Sequence, residues 1–147
     1  MTEILLPQRG PLPCSRPTRV SAHFWAGIAA GELRYQICAG CASVNFPPVE
    51  ICRECQIADL TWHVSAGHGT LYSWTVVHRP VTPAFAELPY APAIVHLDEG
   101  FRTVTNLIGT APGDITPDMR VQVAFHRVHG ELHLPYFRPV TTKQTQK

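Results

Sequence analysis

Four of the five cysteines fall into two Cys-x-x-Cys pairs, Cys38-Ala-Gly-Cys41 and Cys52-Arg-Glu-Cys55, with ten residues between them. The two-residue spacer turns both thiolates of a pair toward one point, and two such pairs complete a tetrahedral S₄ site suited to Zn²⁺. One pair alone would read equally well as a redox dithiol. Two pairs this close read as a single structural metal site. The same sulfurs also accept iron, which the ligand types do not exclude. Two disulfides are a further reading, and they need an oxidising compartment to which nothing in the sequence points. Four cysteines leave no open coordination position for water or substrate, so the metal is not expected to be an active site. Residues 42–51 between the pairs, with Pro47-Pro48, form too small a unit to bury a core of its own. Metal binding supplies the missing free energy, on the order of 10 kcal/mol for structural zinc in peptides.

The other reactive side chains form no such constellation. Eight histidines are scattered along the chain, and His126, His129 and His133 straddle a predicted turn, so no second metal site is expected there. Glu131 reads as a solvated hairpin residue rather than a general base. Cys14 stands alone in a proline-rich stretch and reads as a free thiol. There is no Gly-x-Ser-x-Gly elbow, no phosphate-cradling glycine loop and no His-Glu-x-x-His.

The elements around the cysteines can be read from periodicity. Pro7, Pro11, Pro13 and Pro17 make residues 1–20 an extended arm, either disordered or laid along a partner. Ser21 offers an N-cap and Gly31 a C-terminal stop, with Phe24, Trp25 and Ile28 on one helical face between them. That face either caps the chain's own domain or docks on another protein. Beyond Gly31 the period becomes two, and Leu33, Tyr35 and Ile37 alternate into the first cysteine pair. From Leu60 onward the pattern is β. Strands are predicted at 61–64, 70–78 (Tyr72, Trp74 and Val76 on one face), 91–97, 101–108, a stretch with Val121, Val123 and Phe125, and 131–137. Turns are predicted at Gly67-His68-Gly69, Asp98-Glu99-Gly100, Pro117-Asp118 and His129-Gly130. Five or so strands at this spacing suit a small closed barrel, with the OB-fold the five-stranded choice and an SH3-like barrel the competitor. The expected divisions are an arm at 1–20, helix plus metal ribbon at 21–59, a barrel at 60–140 and a flexible tail at 141–147.

In 147 residues, 45% are hydrophobic and only 16% charged, with a net charge of +1. The charged share falls below the usual quarter, which suits a chain that covers surface against a partner. The balance gives little support to a nucleic-acid binder, which carries a basic face. Tyr72, Trp74, Phe101 and Phe125 would be the stacking platforms in that alternative, yet aromatics in strands are mostly core. No apolar run approaches the roughly 20 residues of a membrane span. Residues 1–17 lack a signal-peptide pattern, and a cytoplasmic location is expected.

The ordered set of motifs resembles the zinc-ribbon plus OB-fold, acyl-CoA-associated family known as Domain of Unknown Function 35. The resemblance covers residues 24–139. It rests on Gly31-Glu32-Leu33 before Cys38-x-x-Cys41 and on Cys52-x-x-Cys55 before Trp62. Further matches are Ser65-Ala66-Gly67-His68-Gly69-Thr70, Ser73-Trp74-Thr75, Pro89-Tyr90, Leu97-Asp98-Glu99-Gly100 and Leu134-Pro135-Tyr136-Phe137. One departure is Asp118 before Met119-Arg120-Val121, where the family often has glycine. The resemblance implies a mainly β chain with an N-terminal helix, a rubredoxin-like zinc ribbon and a five-stranded OB-fold barrel. It implies structural Zn²⁺ held by Cys38, Cys41, Cys52 and Cys55, and no catalysis by the chain alone. It further implies an accessory subunit of a thiolase-like enzyme (thiolase, acyltransferase or retro-aldolase), in a 2:2 assembly, with a MaoC-type hydratase as a further associate. Such a subunit helps to bind or channel acyl-CoA, and a coenzyme A thioester becomes a possible ligand. On that footing His78 and Arg79, which end a predicted strand before Pro80, are the first candidates for acyl-CoA contact, followed by Arg102 and Arg127. Phe24, Trp25 and Ile28 are the candidates for the partner interface. A standalone iron redox protein is the remaining alternative.

Overall fold

The computed structural model describes residues 3–141. The expected flexible tail falls, from residue 142 on, outside the described residues. A short helix, α1 (Ala22–Ala29), leads into β1 (Arg34–Cys38), β2 (Val44–Asn45) and β3 (Leu60–Val64). β4 (His68–Trp74), β5 (Ala91–Leu97), β6 (Arg102–Leu107), β7 (Arg120–His129) and β8 (Leu132–Pro139) follow.

The helix begins and ends where its residues dictate. Ser21 occupies the N-cap, but its hydroxyl accepts from the Thr18 backbone N–H at 2.9 Å instead of capping the first turn. At the other end Gly31 adopts φ +78°, its N–H bonds to the Ile28 carbonyl at 3.1 Å, and the Glu32 N–H reaches the Gly27 carbonyl at 2.8 Å. Two such back-bonds around a left-handed glycine are a Schellman stop.

The sheet topology divides the strands into two groups. β1 is central in a three-stranded sheet of order β2-β1-β3, and the other five strands close a barrel of order β4-β5-β6-β8-β7. The closing contact of β6 with β8 is parallel, and the remaining barrel pairs are antiparallel. Counted from β4 the order is 1-2-3-5-4, a Greek-key closure that matches the expected five-stranded OB-fold. β3, expected at the start of the barrel, pairs along its whole length with β1 and so belongs to the ribbon sheet. β5 alternates cleanly, with Ala91, Ala93, Val95 and Leu97 inward. Leu71, Leu107, Val121 and Phe137 fill the interior with them.

β4 departs from its predicted register. It starts at His68 within the expected turn and ends at Trp74, with Val77 touching Tyr90 only as an isolated bridge. The ladder to β5 slips between Leu71 and Ser73, so the inward residue is Leu71 while Tyr72 bulges outward and is 55% exposed. Gly69 is required here, since a Cβ would stand 2.4 Å from the His96 carbonyl oxygen of β5. Asp118 adopts φ +59°, so it holds the left-handed turn at which glycine is usual.

The arm and helix pack on the chain itself, which corrects the docking reading for Phe24 and Ile28. Leu5, Phe24 and Ile28 are 2%, 9% and 1% exposed and join the same apolar core as Leu33 and Tyr35. Residues 3–17 contain no helix, and Leu5 is clamped by its N–H to Thr110 and by the Gly109 N–H to its carbonyl, both at 2.9 Å. Aromatic contacts join ribbon to barrel: Phe101 stacks on Tyr35 at 5.0 Å and on Phe46 at 4.7 Å, and Phe46 meets Phe24 at 5.7 Å. Ser65, buried at the same junction, donates to Glu99 and accepts from the Gly67 N–H at 2.9 Å. Burial, then the Glu99 charge, raises the Tyr35 hydroxyl above its ordinary pKa.

Candidate functional site

The two cysteine pairs are built as near copies of one another. The N–H of Ala42 bonds to the Cys38 carbonyl at 2.8 Å, and the N–H of Gln56 bonds to the Cys52 carbonyl at 3.0 Å. Both Ala42 and Gln56 sit at φ +63°, one residue past the second cysteine of their pair. That left-handed step returns the chain, so Cys38 N–H meets Ser43 and Cys52 N–H meets Ile57 at 2.9 and 3.0 Å. β1 and β2 deliver the first pair, and the loop before β3 carries the second.

The four Sγ atoms all lie within 4.8 Å of one another. Cys38 and Cys55 approach to 3.5 Å, and Cys41 and Cys52 to 3.7 Å. A tetrahedron with Zn–S bonds of about 2.3 Å has S···S edges of about 3.8 Å, whereas a disulfide needs about 2.05 Å. All four are free thiols in a metal-sized cluster. Cys38 and Cys52 are fully buried while Cys41 is exposed, so the site sits at the ribbon's edge with half its ligands sealed.

Neighbouring polar groups prepare the sulfurs as thiolates. The Ser43 hydroxyl lies 3.0 Å from both Cys41 and Cys52. The Asn45 amide donates to Cys52 at 3.5 Å, and its carbonyl oxygen accepts the Arg53 N–H at 3.0 Å. The Cys55 backbone N–H, then Ser43 and Asn45, pull the Cys52 thiol down to about 5. Ser43 likewise lowers Cys41. Cys55 goes the other way: the Ile57 N–H lowers it, but burial and the three adjoining sulfurs outweigh that and push it up to about 12. Four crowded sulfurs cannot all ionise without a cation among them, and a divalent ion resolves that conflict.

The remaining candidates do not converge. His78 and Arg79 are exposed in the long connection between β4 and β5. Arg102 lies on β6 with its guanidinium 3.9 Å above the Tyr72 ring. Arg127, near the β7–β8 turn, donates to the Gly130 carbonyl at 2.6 Å. No hydrogen bond or ion pair links these four residues among those described. Trp25 is half-buried, in edge contact with Phe24 at 5.1 Å. Of the aromatics considered as base platforms, Phe101 is buried and Phe125 and Trp74 pack on the core, leaving Tyr72 under its arginine.

One pairing was not visible in the sequence. The Cys14 sulfur lies 3.8 Å from both ring nitrogens of His129, while His129 Nε2 donates to the Leu12 carbonyl at 2.8 Å. The sulfur is equidistant from both nitrogens, so it is aligned with neither lone pair as a nucleophile–base pair requires. Burial, then the charge of Arg138, lowers His126 below its ordinary range.

Comparison with known proteins bears on both halves of the chain. Residues 25–61 match the rubredoxin-like zinc ribbon domain of ChsH2, and residues 62–126 match the ChsH2 C-terminal OB-fold domain. The four-cysteine cluster is therefore a structural zinc site. A "DUF35 domain-containing scaffold protein" of Methanothermobacter thermautotrophicus is 32% identical over 99 residues, covering 64% of this chain and 71% of the relative. A "Probable enoyl-CoA hydratase alpha subunit" of Thermomonospora curvata is 39% identical over 126 residues, 86% of this chain. The chain spans only 39% of that relative's length. Among solved structures, a chain of the "Ltp2-ChsH2(DUF35) aldolase" superposes with a TM-score of 0.79 at 39% identity, covering 86% of this chain and 98% of that one.

Proposed function

Because the chain belongs to the DUF35 family of zinc-ribbon plus OB-fold proteins, we propose that it is a non-catalytic accessory subunit of a thiolase-like enzyme acting on acyl-CoA. The observation that carries this reading is the 39% identity to nearly the whole of a chain from an aldolase assembly. Support also comes from the site chemistry. The zinc is closed by four cysteines, which leaves it no open position for substrate or water. The zinc's role is to fold the ribbon, which the Tyr35, Phe46 and Phe101 stack then fixes against the barrel.

In this reading the partner supplies the reacting groups, and the barrel lies beside its acyl-CoA channel. His78 and Arg79 remain the proposed phosphate contacts, since both are exposed and Arg79 has no ion-pair partner among the described residues. A free guanidinium fork suits phosphate oxygens. Arg102 and Arg127 are weaker, because each is already engaged on its own chain. With Phe24 and Ile28 buried, the proposed partner contact moves to Trp25 and to the outward apolar residues Tyr72 and Val104, the latter 76% exposed on β6. The hydratase name carried by one relative supports a MaoC-type hydratase as a further associate.

The test is an acyl-CoA turnover assay on the chain alone, the partner alone and the co-expressed pair. The reading requires no turnover by the chain alone and higher activity of the pair than of the partner. Turnover by the isolated chain at about 1 s⁻¹ or more, an ordinary enzyme rate, would overturn it.

A further inference from the structure

The outer wall of the barrel carries a cavity of about 450 Å³ to which neither the zinc nor the CoA-phosphate candidates contribute. It lies between three parts of the chain: the N-terminal arm, the β4–β5 connection, and the outer faces of β5, β6 and β8. Its main walls are Leu12, Phe85, Tyr90, Pro92, Leu134 and Tyr136. The volume falls within the roughly 300–1,000 Å³ of small-molecule sites. No acidic or basic side chain lines it among the described residues.

The walls are pinned by specific bonds. Gln8 on the arm makes two to the Glu87 backbone, donating to its carbonyl at 2.9 Å and accepting its N–H at 3.1 Å. Those bonds satisfy the buried Gln8 amide on both sides and tie the arm to the connection. Phe85 stacks on Tyr90 at 4.9 Å, and the Thr105 hydroxyl donates to the Pro135 carbonyl at 2.8 Å. Leu12 is fixed from the far side by His129. The cavity is thus preformed.

Tyr136 is the feature that points to a ligand. Its neighbour Phe137 is fully buried inside the barrel, so Tyr136 faces outward by strand alternation. It is nevertheless only 4% exposed, covered by the arm, and its hydroxyl is buried with no hydrogen-bond partner. The Gln8 backbone lies close to it without bonding geometry, and burial raises its pKa, which keeps the phenol a neutral donor. A buried, unpaired hydroxyl is destabilising where phenylalanine would fill the same space.

We propose that this cavity binds an uncharged hydrophobic molecule, or the uncharged end of a larger one, bearing a single hydrogen-bond-accepting oxygen that the Tyr136 hydroxyl meets once the arm covering it gives way slightly. The absence of cations sets it apart from any site for the phosphates of CoA. The inference concerns this chain alone, so it stands or falls separately from the partner assignment.

The test uses the full zinc-loaded chain with Nile red, a neutral dye that brightens in apolar surroundings, as the reporter. Two competitors of matched shape are butyrophenone, with one carbonyl, and butylbenzene, with none. The expected result is one saturable dye site per chain, displaced by both competitors and not by free coenzyme A. Butyrophenone should compete roughly three- to tenfold more strongly, the factor carried by one net hydrogen bond. Tyr136→Phe, which removes only the unpartnered hydroxyl, should abolish that preference while leaving the fold intact. Leu134→Trp should fill the cavity and abolish dye binding. Absence of saturable binding, displacement by coenzyme A, or a preference that survives Tyr136→Phe would each overturn the proposal.

Discussion

Leu5 and Leu6 are adjacent on the arm, yet the fold uses them in opposite ways. Leu5 is 2% exposed within the main core, and Leu6 is 43% exposed. Truncating Leu5 to alanine removes three buried carbons and leaves a cavity in the core. Large-to-small changes of this kind cost about 2–5 kcal/mol. The backbone bonds to Thr110 and Gly109 hold the arm in place and limit collapse, so about 3 kcal/mol is the working value. With a urea dependence of about 2 kcal/mol per molar, the unfolding midpoint falls by about 1.5 M. Leu6→Ala should move it by less than about 0.3 M, as surface changes do. The assay is urea unfolding of the zinc-loaded chain followed by tryptophan fluorescence and circular dichroism. Equal midpoints for the two variants would refute the claim that the arm belongs to the core.

Three further outcomes follow from the same structure. Purified chain should carry one zinc, and Cys52→Ser should lose it and unfold the ribbon, measured by elemental analysis and thermal melting; full metal retention would contradict the S₄ assignment. Arg120 grips Asp98 through two bonds of 2.8 Å, which holds the Asp98 carboxyl below its ordinary range, with later contributions from Arg120, His68 and His96 charges. A lowered carboxyl stabilises the fold above the usual value near 4 and loses that contribution as pH falls through its folded value. Both groups are half exposed, so Arg120→Ala should cost under about 1 kcal/mol at neutral pH, and the difference should shrink as acidification protonates Asp98 and vanish once that carboxyl is neutral. Gly69→Ala should destabilise the barrel by more than about 2 kcal/mol in the same urea assay, because its Cβ meets backbone rather than a movable side chain.

Some of this was legible in the sequence, and the division follows the range of the interactions. The cysteine knuckles could be read because their geometry is set within a few residues of each sulfur. β5 could be read because its alternation is unbroken from Ala91 to Leu97. The left-handed stop at Gly31 is equally local. β4 was misread at its far end because a bulge at Tyr72 exchanges inside for outside, and strict alternation cannot show that. The α1 face was correctly identified as apolar, but a helical pattern does not say whether it meets its own barrel or another protein. The wall cavity depended on the least local contacts: Gln8 with Glu87, and Leu12 with His129. No short-range signal in the sequence pairs residues that far apart.

The most direct test of the central claim is native mass measurement of this chain co-expressed with a thiolase-like partner. The account predicts a zinc-containing assembly with two copies of each chain, and dissociation into subunits when Val104→Glu puts a charge on the proposed contact face. Elution of the native chain alone, with no mass corresponding to a joint assembly, would contradict it.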